Sequence, residues 1–362
     1  MINVFGSCVG SEELAEVADC IDRQWLGIGV KTEKFERLMA QKTGLGFTAV
    51  DSGSNALYMA VKALKLKPGS EVIIPSITWI ACATAVIEAG LKPVFADVDW
   101  TTCSITQESA SRKVTGKTGA VMVVHYSGYP VEFSIGGIYT IGDCAHAVDS
   151  YICGVHVAKF CDISIFSFDS IKNIAAGELG GICSASKKFS RFFKESRYCG
   201  LVKSGIAASA EKDRWWCYEL KRPFIKMLPN DITASIAIAQ FKKLEIMQSR
   251  RRQIWNLYQQ AFEDISWIER PPEASAGNKH SYFTYAVKVL NGRRDALARY
   301  LLDKWIYTTV RYEPLHLYSQ FRCRTKLPVA EKLGECLLNL PLHPKLSDSD
   351  ISCVTERVRG FK

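Results

Sequence analysis

Several features that would place the chain in another class of protein are missing from its 362 residues. No apolar run approaches the length that spans a bilayer, and the first residues lack the basic flank and apolar core of a secretion signal. The thirteen cysteines include no C-x-x-C pair, which fits reduced thiols better than a disulfide framework or a zinc site. We therefore expect a cytoplasmic protein with no membrane span and no bound metal.

A concentrated basic surface is also missing, although the formal net charge is +9. The basic residues are scattered apart from short clusters such as 250–252 and 221–222, and no nucleic-acid-binding motif is present. Nucleic-acid binding is therefore not expected, whereas small substrates that carry phosphate stay open.

Short β-prone segments alternate with helical patterns through the first half of the chain. This alternation predicts an α/β fold with three layers, in which helices cover both faces of a mostly parallel central sheet. About a dozen residues separate His125 from Ile138, so the helix of that crossover is expected to be very short or missing. The predicted strands cover 47–50, 71–75, 93–98, 119–125, 138–143 and 162–168.

The pattern changes after Gly181, where a long helix and fewer strands predict a smaller C-terminal α+β domain. We assign residues 1–235 to the large domain and residues 236–362 to the smaller one, which begins with the long helix. In this part we expect helices at 231–262, 293–305, 328–338 and 347–359, and strands at 282–290 and 307–312.

One lysine stands directly after a buried strand. The segment 161–168 is apolar and β-prone, Lys172 follows in a short polar loop, and a second apolar run opens on the pair Gly180 and Gly181. A lysine in such a loop is more often solvated than catalytic. The alternative is a lysine that forms a Schiff base, which requires particular residue types elsewhere in the chain.

Polar and aromatic side chains follow the ends of other predicted strands, where open α/β sheets bind their ligands. Each has a structural explanation too, because serine and aspartate cap helices or form turns and tryptophan packs in cores. Together they meet the requirements of pyridoxal 5′-phosphate (PLP): a Schiff-base lysine, a carboxylate beside the pyridine nitrogen, a phosphate cup and a stacking ring. The candidates are Ser54 and Asn55, Trp79, Asp143 and His146, and Ser167.

Motifs spread over most of the chain resemble one family. The chain is similar to the DegT/StrS-type PLP-dependent sugar aminotransferases, which belong to the aspartate-aminotransferase-like group with fold type I. Any one motif is weak, but their joint order is specific. The matching stretches are Gly27-Ile-Gly29, Ser52-Gly-Ser54-Asn-Ala-Leu57, Pro68-Gly-Ser-Glu71, Pro75-Ser-Ile-Thr-Trp79, Pro93-Val-Phe-Ala-Asp97, Asp143-Cys-Ala-His146, Phe166-Ser-Phe-Asp-Ser-Ile-Lys172-Asn, Gly177-Glu-Leu-Gly-Gly181, Asn230-Asp231 and Tyr312-Glu-Pro-Leu-His316.

The resemblance implies a role for each candidate. Lys172 would be the Schiff-base lysine and Asp143 the partner of the pyridine nitrogen, and these two are the implied catalytic residues. His146 would lie near the phenolic oxygen of the cofactor, and Trp79 would stack on its ring. Ser54, Asn55 and Ser167 would bind the phosphate.

The resemblance also implies a homodimer in which the segment before the long helix completes the phosphate cup of the partner. Many relatives carry asparagine or arginine where this chain has Leu228, so the contact is assigned to Lys226 or Asn230. Candidate substrate contacts are Arg311, which precedes the Tyr312 motif, and His316, which ends it.

The activity implied is transfer of an amino group from an amino acid, with glutamate as first candidate, to a nucleotide-linked keto sugar. The product would be an amino sugar for a surface polysaccharide or a secondary metabolite. A PLP-dependent sugar dehydratase of the same fold is one alternative, but its lysine is replaced by histidine, which Lys172 argues against. A regulatory or binding protein that retains the fold is another, although it would have no need of Lys172, Asp143 and Trp79.

Overall fold

The computed structural model describes residues 1–201, 216, 218–321 and 323–362. Within these residues, strands and helices alternate as the sequence predicts, and the α/β fold class is confirmed. The strands of the largest sheet are β1 (Gly46–Val50), β2 (Glu71–Pro75), β3 (Lys92–Ala96), β4 (Thr118–Val124), β5 (Tyr139–Asp143), β8 (Ile163–Ser167) and β9 (Gly180–Ser184).

The helices and the remaining strands follow the same numbering. The helices are α1 (Ser11–Asp22), α2 (Val30–Thr43), α3 (Gly53–Ala63), α4 (Ala81–Glu88), α5 (Gln107–Ser111), α6 (Lys187–Ser196), α7 (Asp231–Ala261), α8 (Arg294–Asp303), α9 (Pro328–Cys336) and α10 (Asp348–Arg359). The short strands β6 (Tyr151–Ile152) and β7 (Val155–His156) form a hairpin, and β10 (Ile268–Glu269), β11 (Tyr285–Val289) and β12 (Leu337–Leu340) form a separate sheet.

The large sheet has the order β1-β9-β8-β5-β4-β2-β3. Only β9 runs antiparallel to its neighbours, so β1 points in the same direction as β8 and the parallel strands. Every residue of β2 and of β9 is buried, as is typical of strands covered on both faces. The carboxyl ends of β1, β2, β5 and β8 therefore meet at one edge of the sheet.

The crossover from β4 to β5 contains no α-helix, which confirms the expectation for this segment. A single 3-10 turn, Tyr126–Gly128, follows β4. The turn is hydrogen bonded to the segment before β11: the Phe283 amide donates to the Ser127 carbonyl at 3.0 Å, and the Ser281 amide donates to the Gly128 carbonyl at 3.1 Å. The crossover thereby joins the large sheet to the C-terminal part of the chain.

Helix α7 passes without a break from one hydrophobic core to another. Its first half packs Ala234 and Ile238 among residues of the large sheet and α2. Its second half packs Trp255 and Tyr258 against the sheet formed by β10, β11 and β12. The division between residues 235 and 236 falls inside this helix and stays a prediction.

Several elements of the C-terminal part differ from the sequence prediction: β10 is not among the predicted strands, and β11 begins at Tyr285 rather than at residue 282. The predicted strand at 307–312 is wrong, because the segment forms isolated bridge contacts and no continuous ladder: Thr309 pairs with Asn339, and the Tyr307 amide donates to the Ile2 carbonyl at 2.8 Å. The helix predicted to reach residue 338 ends at Cys336, and Leu337–Leu340 pairs with β11 as a buried strand. Among the described helices, none is long and apolar enough to cross a membrane. The cytoplasmic location stays a prediction.

Candidate active site

A cavity of about 350 Å³ lies at the carboxyl edge of the large sheet. The ends of the parallel strands and the loops that follow them supply most of its wall, as expected for an α/β sheet. The structure brings seven of the predicted site residues to this cavity: Ser54, Trp79, Asp143, His146, Ser167, Lys172 and Arg311.

Lys172 lies in a tight loop between β8 and β9. Its amide donates to the Asp169 carbonyl at 2.9 Å, and its Nζ lies 4.8 Å from the centroid of the Phe283 ring. Burial lowers the pKa of the Lys172 ammonium to about 8, with a further lowering by the neighbouring Arg311 charge. The negative charge of Asp143 opposes this shift. A fraction of the lysine is therefore neutral and nucleophilic near neutral pH.

Asp143 ends β5 and is 6% exposed. Its Oδ1 accepts a hydrogen bond from the Ala145 amide at 2.9 Å, and its Oδ2 accepts one from Cys82 Sγ at 3.4 Å. Burial raises the pKa of the carboxyl group, while the Ala145 amide and the Lys172 charge oppose the rise. A buried carboxylate of this kind is stabilised by a cation placed beside it.

His146 is held between aromatic side chains. Its ring stacks on Phe283 at a centroid distance of 4.0 Å, and its Nε2 lies 3.2 Å from the hydroxyl oxygen of Tyr312. Burial and the charges of Lys172 and Arg311 hold the pKa of His146 well below its usual range, so the ring is neutral. Its Nδ1 is buried and has no hydrogen-bond partner among the residues that the structure describes.

The predicted phosphate cup is the turn from β1 into α3. Ser52 caps the helix, because its Oγ accepts a hydrogen bond from the Asn55 amide at 3.2 Å. Gly53 is required here, since a Cβ at this position would lie 2.7 Å from the Cβ of Ser167. The first N–H groups of α3, together with Ser54 and Ser167, therefore surround a small cradle that suits an anion.

Asn55 lies in the first turn of α3. Its side-chain amide donates to both carboxylate oxygens of Asp51, at 2.8 and 3.0 Å, and the residue does not line the cavity. The predicted contact between Asn55 and a phosphate stays a prediction.

Trp79 lies at the mouth of the cavity with 55% of its surface exposed. Its ring is tilted by 51° against that of Tyr312 at 5.9 Å. An aromatic side chain this open is available to a ligand ring or to a second subunit.

The other predicted residues lie away from this cavity. His316 is 3% exposed, and its Nδ1 lies 2.7 Å from Ser76 Oγ. Asn230 caps α7, where its Oδ1 accepts a hydrogen bond from the Thr233 amide at 2.9 Å, and Lys226 is exposed. The family resemblance assigns Lys226 or Asn230 to the site of a partner subunit, so this role stays a prediction.

Sequence reasoning missed three contributors to the site. Phe283 contacts His146 and Lys172 but carries no local signal of a site, because it lies far along the chain in a segment predicted only as a strand. Cys82 lies on α4, and the sequence indicates nothing more for it than a reduced thiol. Tyr312 belongs to one of the family motifs, but the motif alone does not show that its side chain lies beside His146.

The described side chains fit PLP. A buried carboxylate can pair with a protonated ring nitrogen, the unpaired His146 Nδ1 offers a polar contact, and the cradle at α3 suits a phosphate group. The lowered pKa of Lys172 suits a lysine that reacts with an aldehyde.

Comparisons with known proteins agree with this site. Residues 7–359 match the DegT/DnrJ/EryC1/StrS aminotransferase family. The chain is 34% identical over 367 residues to dTDP-4-dehydro-2,3,6-trideoxy-D-glucose 4-aminotransferase of Saccharopolyspora spinosa, with 98% of this chain and 95% of the relative covered. It is 30% identical over 371 residues to the spore coat polysaccharide biosynthesis protein SpsC of Bacillus subtilis (strain 168), with 98% and 95% covered.

The fold is also that of a solved relative. The crystal structure of the aminotransferase TlmJ from Streptoalloteichus hindustanus superimposes with a TM-score of 0.92 at 34% identity, covering 99% of this chain and 98% of TlmJ. The chain therefore belongs to the DegT/DnrJ/EryC1/StrS aminotransferase family, and the prediction of a sugar aminotransferase that uses PLP is confirmed.

Proposed function

We propose that the enzyme takes an amino group from L-glutamate and transfers it to a keto sugar linked to a nucleotide. The observation that carries the proposal is the convergence of Lys172 and Asp143 on one cavity, with the lysine pKa lowered to about 8. The relative from Saccharopolyspora spinosa is named for a dTDP-linked sugar, which supports a nucleotide-linked acceptor. The net charge of +9 also favours an acceptor that carries phosphate groups.

The bound cofactor supplies an electron-withdrawing ring that stabilises negative charge at the substrate carbon. Asp143 would keep the ring nitrogen protonated, because a buried carboxylate is stabilised by a cation beside it. Ser54, Ser167 and the N-terminus of α3 would hold the phosphate. The neutral ε-amine of Lys172 would accept the proton of the substrate carbon in the donor half-reaction and return a proton to the substrate carbon in the acceptor half-reaction.

We further propose that two chains form a homodimer with shared sites. Exposed apolar side chains surround the loop before α2, with Trp25, Leu26 and Val30 between 43% and 52% exposed. This loop is adjacent to the start of α7, since the Asp231 amide donates to the Leu26 carbonyl at 3.1 Å. A partner would cover this surface and receive Lys226 or Asn230 at its phosphate cradle, where Leu228 offers no polar contact.

Separate half-reactions test the proposal. Purified protein loaded with PLP is mixed with glutamate, and the visible absorbance of the bound cofactor is expected to disappear as 2-oxoglutarate forms. A panel of nucleotide-linked 3-keto and 4-keto sugars should then restore the absorbance and yield an amino sugar. Turnover of free keto acids with no amination of any keto sugar in the panel would contradict a sugar acceptor, and Lys172→Ala serves as the inactive control.

A further inference from the structure

Asn173 directly follows Lys172 and is a buried amide outside the active-site cavity, with 4% of its surface exposed. Its Nδ2 donates to the Ser281 carbonyl at 2.6 Å and to Gln248 Oε1 at 2.7 Å. Gln248 is also buried, and its Nε2 donates to the same carbonyl at 2.8 Å. The two amides and the carbonyl therefore form a closed ring of hydrogen bonds.

This ring of hydrogen bonds fixes the orientation of the Asn173 amide. A reversed amide would place Oδ1 against the Ser281 carbonyl oxygen, and two acceptors repel each other. In the observed orientation the Oδ1 atom is buried and has no hydrogen-bond partner among the residues that the structure describes. A buried acceptor without a partner is unfavourable, so an apolar side chain would suit this position better if it only filled space.

The carbonyl that Asn173 holds belongs to the segment that carries Phe283. Ser281 and Phe283 are completely buried. The Phe283 ring stacks on His146 at a centroid distance of 4.0 Å, and its centroid lies 4.8 Å from Lys172 Nζ. Asn173 thus joins the backbone of the lysine loop to the ring against which the lysine ammonium packs.

Helix α7 supports both sides of this connection. Arg251, three residues after Gln248, donates from its Nη1 to the Phe283 carbonyl at 3.2 Å. Gln240, eight residues before Gln248, accepts a hydrogen bond from the Ala175 amide of the lysine loop at 3.4 Å. All three side chains belong to one unbroken helix, so this helix sets the spacing between the lysine loop and the Phe283 segment.

The Lys172 side chain depends on this packing for its position. Its Nζ lies over the Phe283 ring and forms no hydrogen bond or ion pair with the part of the chain that the structure describes. A lysine has a flexible four-carbon stem, which leaves the ammonium free to move where nothing packs against it. Since a displacement of about 1 Å between reacting groups costs on the order of 100-fold in rate, the side chains that hold the ring bear on proton transfer by Lys172.

We propose that Asn173 and Gln248 are positioning residues, which place Lys172 for proton transfer by joining its loop to the segment that carries Phe283. Neither side chain lines the active-site cavity, so both act through Lys172 and Phe283. The proposal rests on the proposed function, in which Lys172 moves the proton, and adds the side chains that hold this lysine in place.

The first test is the donor half-reaction of the PLP-loaded enzyme, measured in single turnovers with glutamate. Asn173→Ala removes both hydrogen bonds of the amide, and we expect the maximal rate to fall about 10- to 100-fold. The glutamate concentration for half-saturation should change by less than about threefold, because no substrate contact is lost. A rise in half-saturation at an unchanged maximal rate would overturn the proposal.

Glutamate deuterated at its α-carbon shows which step has slowed. If Lys172 is misplaced, cleavage of the bond between carbon and deuterium limits the rate, so the isotope effect in Asn173→Ala should equal or exceed that of wild type. A smaller isotope effect would assign the loss to another step and contradict a positioning role.

Gln248→Met is the second variant, because methionine is close to glutamine in length and volume but cannot replace its amide. Its maximal rate should fall about three- to tenfold, since Asn173 keeps its hydrogen bond to the Ser281 carbonyl. The double variant should lose less than the product of the two single losses, because both amides belong to one network. Losses that simply multiply would show that the two residues act independently and would contradict the proposal.

Hydrogen exchange measures the same connection without any catalytic activity. The Phe283 amide donates to the Ser127 carbonyl at 3.0 Å. In the cofactor-free protein this amide should exchange at least about fivefold faster in Asn173→Ala than in wild type, because its segment has lost a buried hydrogen bond. Unchanged exchange in Asn173→Ala would show that the amide does not hold the segment.

Gln259→Met is the matched control for lost stability. Gln259 lies on the same helix, and its Nε2 donates to the Pro271 carbonyl at 2.8 Å, outside the active-site cavity. This variant should leave the donor rate and the exchange of the Phe283 amide unchanged, and an equal effect would assign the results to stability alone. If wild type transfers no amino group, the proposed function fails, while hydrogen exchange still tests the connection. If wild type is active and Asn173→Ala matches its maximal rate, only the positioning role fails.

Discussion

The thiol of Cys82 donates a hydrogen bond to the carboxylate of Asp143, with 3.4 Å between Sγ and Oδ2. The same sulfur lies 3.2 Å from Thr78 Oγ1, so a short buried chain of polar groups connects the loop after β2 to the end of β5. Cys82 is fully buried on α4, and burial raises the pKa of its thiol well above the usual range. The thiol is therefore protonated and acts as a donor.

Removal of this donor is expected to weaken cofactor binding. In Cys82→Ala, Asp143 loses one of its two hydrogen bonds, which raises its pKa further and leaves its Oδ2 less well oriented. We expect the dissociation constant of PLP, measured by absorbance titration, to rise about three- to tenfold. Cys82→Ser keeps a donor and should lie closer to wild type. Cys144→Ala removes another buried thiol, one whose sulfur forms no hydrogen bond with Asp143 among the described contacts. An equal weakening of PLP binding in Cys144→Ala would contradict the role assigned to the Cys82 thiol.

The lowered pKa of Lys172 makes the stability of the cofactor-free protein depend on pH. The folded-state pKa is about 8, against 10.5 for an ordinary lysine, so the unfolded chain binds more protons between these values. The lysine therefore destabilises the folded state most below pH 8, and this effect fades as the pH rises toward 10.5. Lys172→Met should unfold at a higher temperature than wild type at pH 7, with a smaller difference at pH 10. A difference that grows with pH would contradict the lowered pKa.

Gly180 is required by the close approach of β9 to the start of α3. A Cβ at this position would lie 2.2 Å from the carbonyl group of Ser52, and backbone atoms cannot move aside as a flexible side chain does. Gly180→Ala should lower the free energy of unfolding by about 1–3 kcal/mol and weaken phosphate binding at the adjacent cradle. Gly46→Ala, at the other end of the same strand pair, places its Cβ 3.4 Å from Ser190 Oγ and is the control. Urea unfolding measures the stability of both variants, and absorbance titration measures their affinity for PLP. Equal losses in Gly46→Ala and Gly180→Ala would contradict the requirement for glycine at position 180.

His316 joins two separate parts of the fold. Its Nδ1 lies 2.7 Å from Ser76 Oγ, and its Nε2 lies 3.2 Å from Glu331 Oε1. We expect His316→Ala to lower the free energy of unfolding by about 1–3 kcal/mol, because a buried hydroxyl loses a partner. Glu331→Gln retains an acceptor for His316 and should cost less. The sequence predicts instead that His316 contacts the substrate. In that case His316→Gln should raise the substrate concentration for half-saturation and leave the free energy of unfolding unchanged.

The sequence predicted correctly those elements that depend on residues close to one another along the chain. The bounds of β2 agree with the expected 71–75, and β5 and β8 lie within one residue of expectation, since continuous apolar runs mark strands buried on both faces. It failed at Leu337–Leu340, where an apolar run continues a helical pattern. Only its pairing with β11 makes that segment a strand.

The sequence by itself determined the α/β alternation, the family, and the positions of Lys172 and Asp143 at the ends of strands, because these depend on local periodicity and short motifs. The tertiary structure decided which distant side chains complete the site. Contacts of Lys172 with Phe283 and of Arg311 with Phe5 join residues more than a hundred positions apart. Such contacts form only when the sheet brings the ends of its strands together at one edge. They determine the burial and the charged neighbours of Lys172, which lower the pKa of its ammonium group.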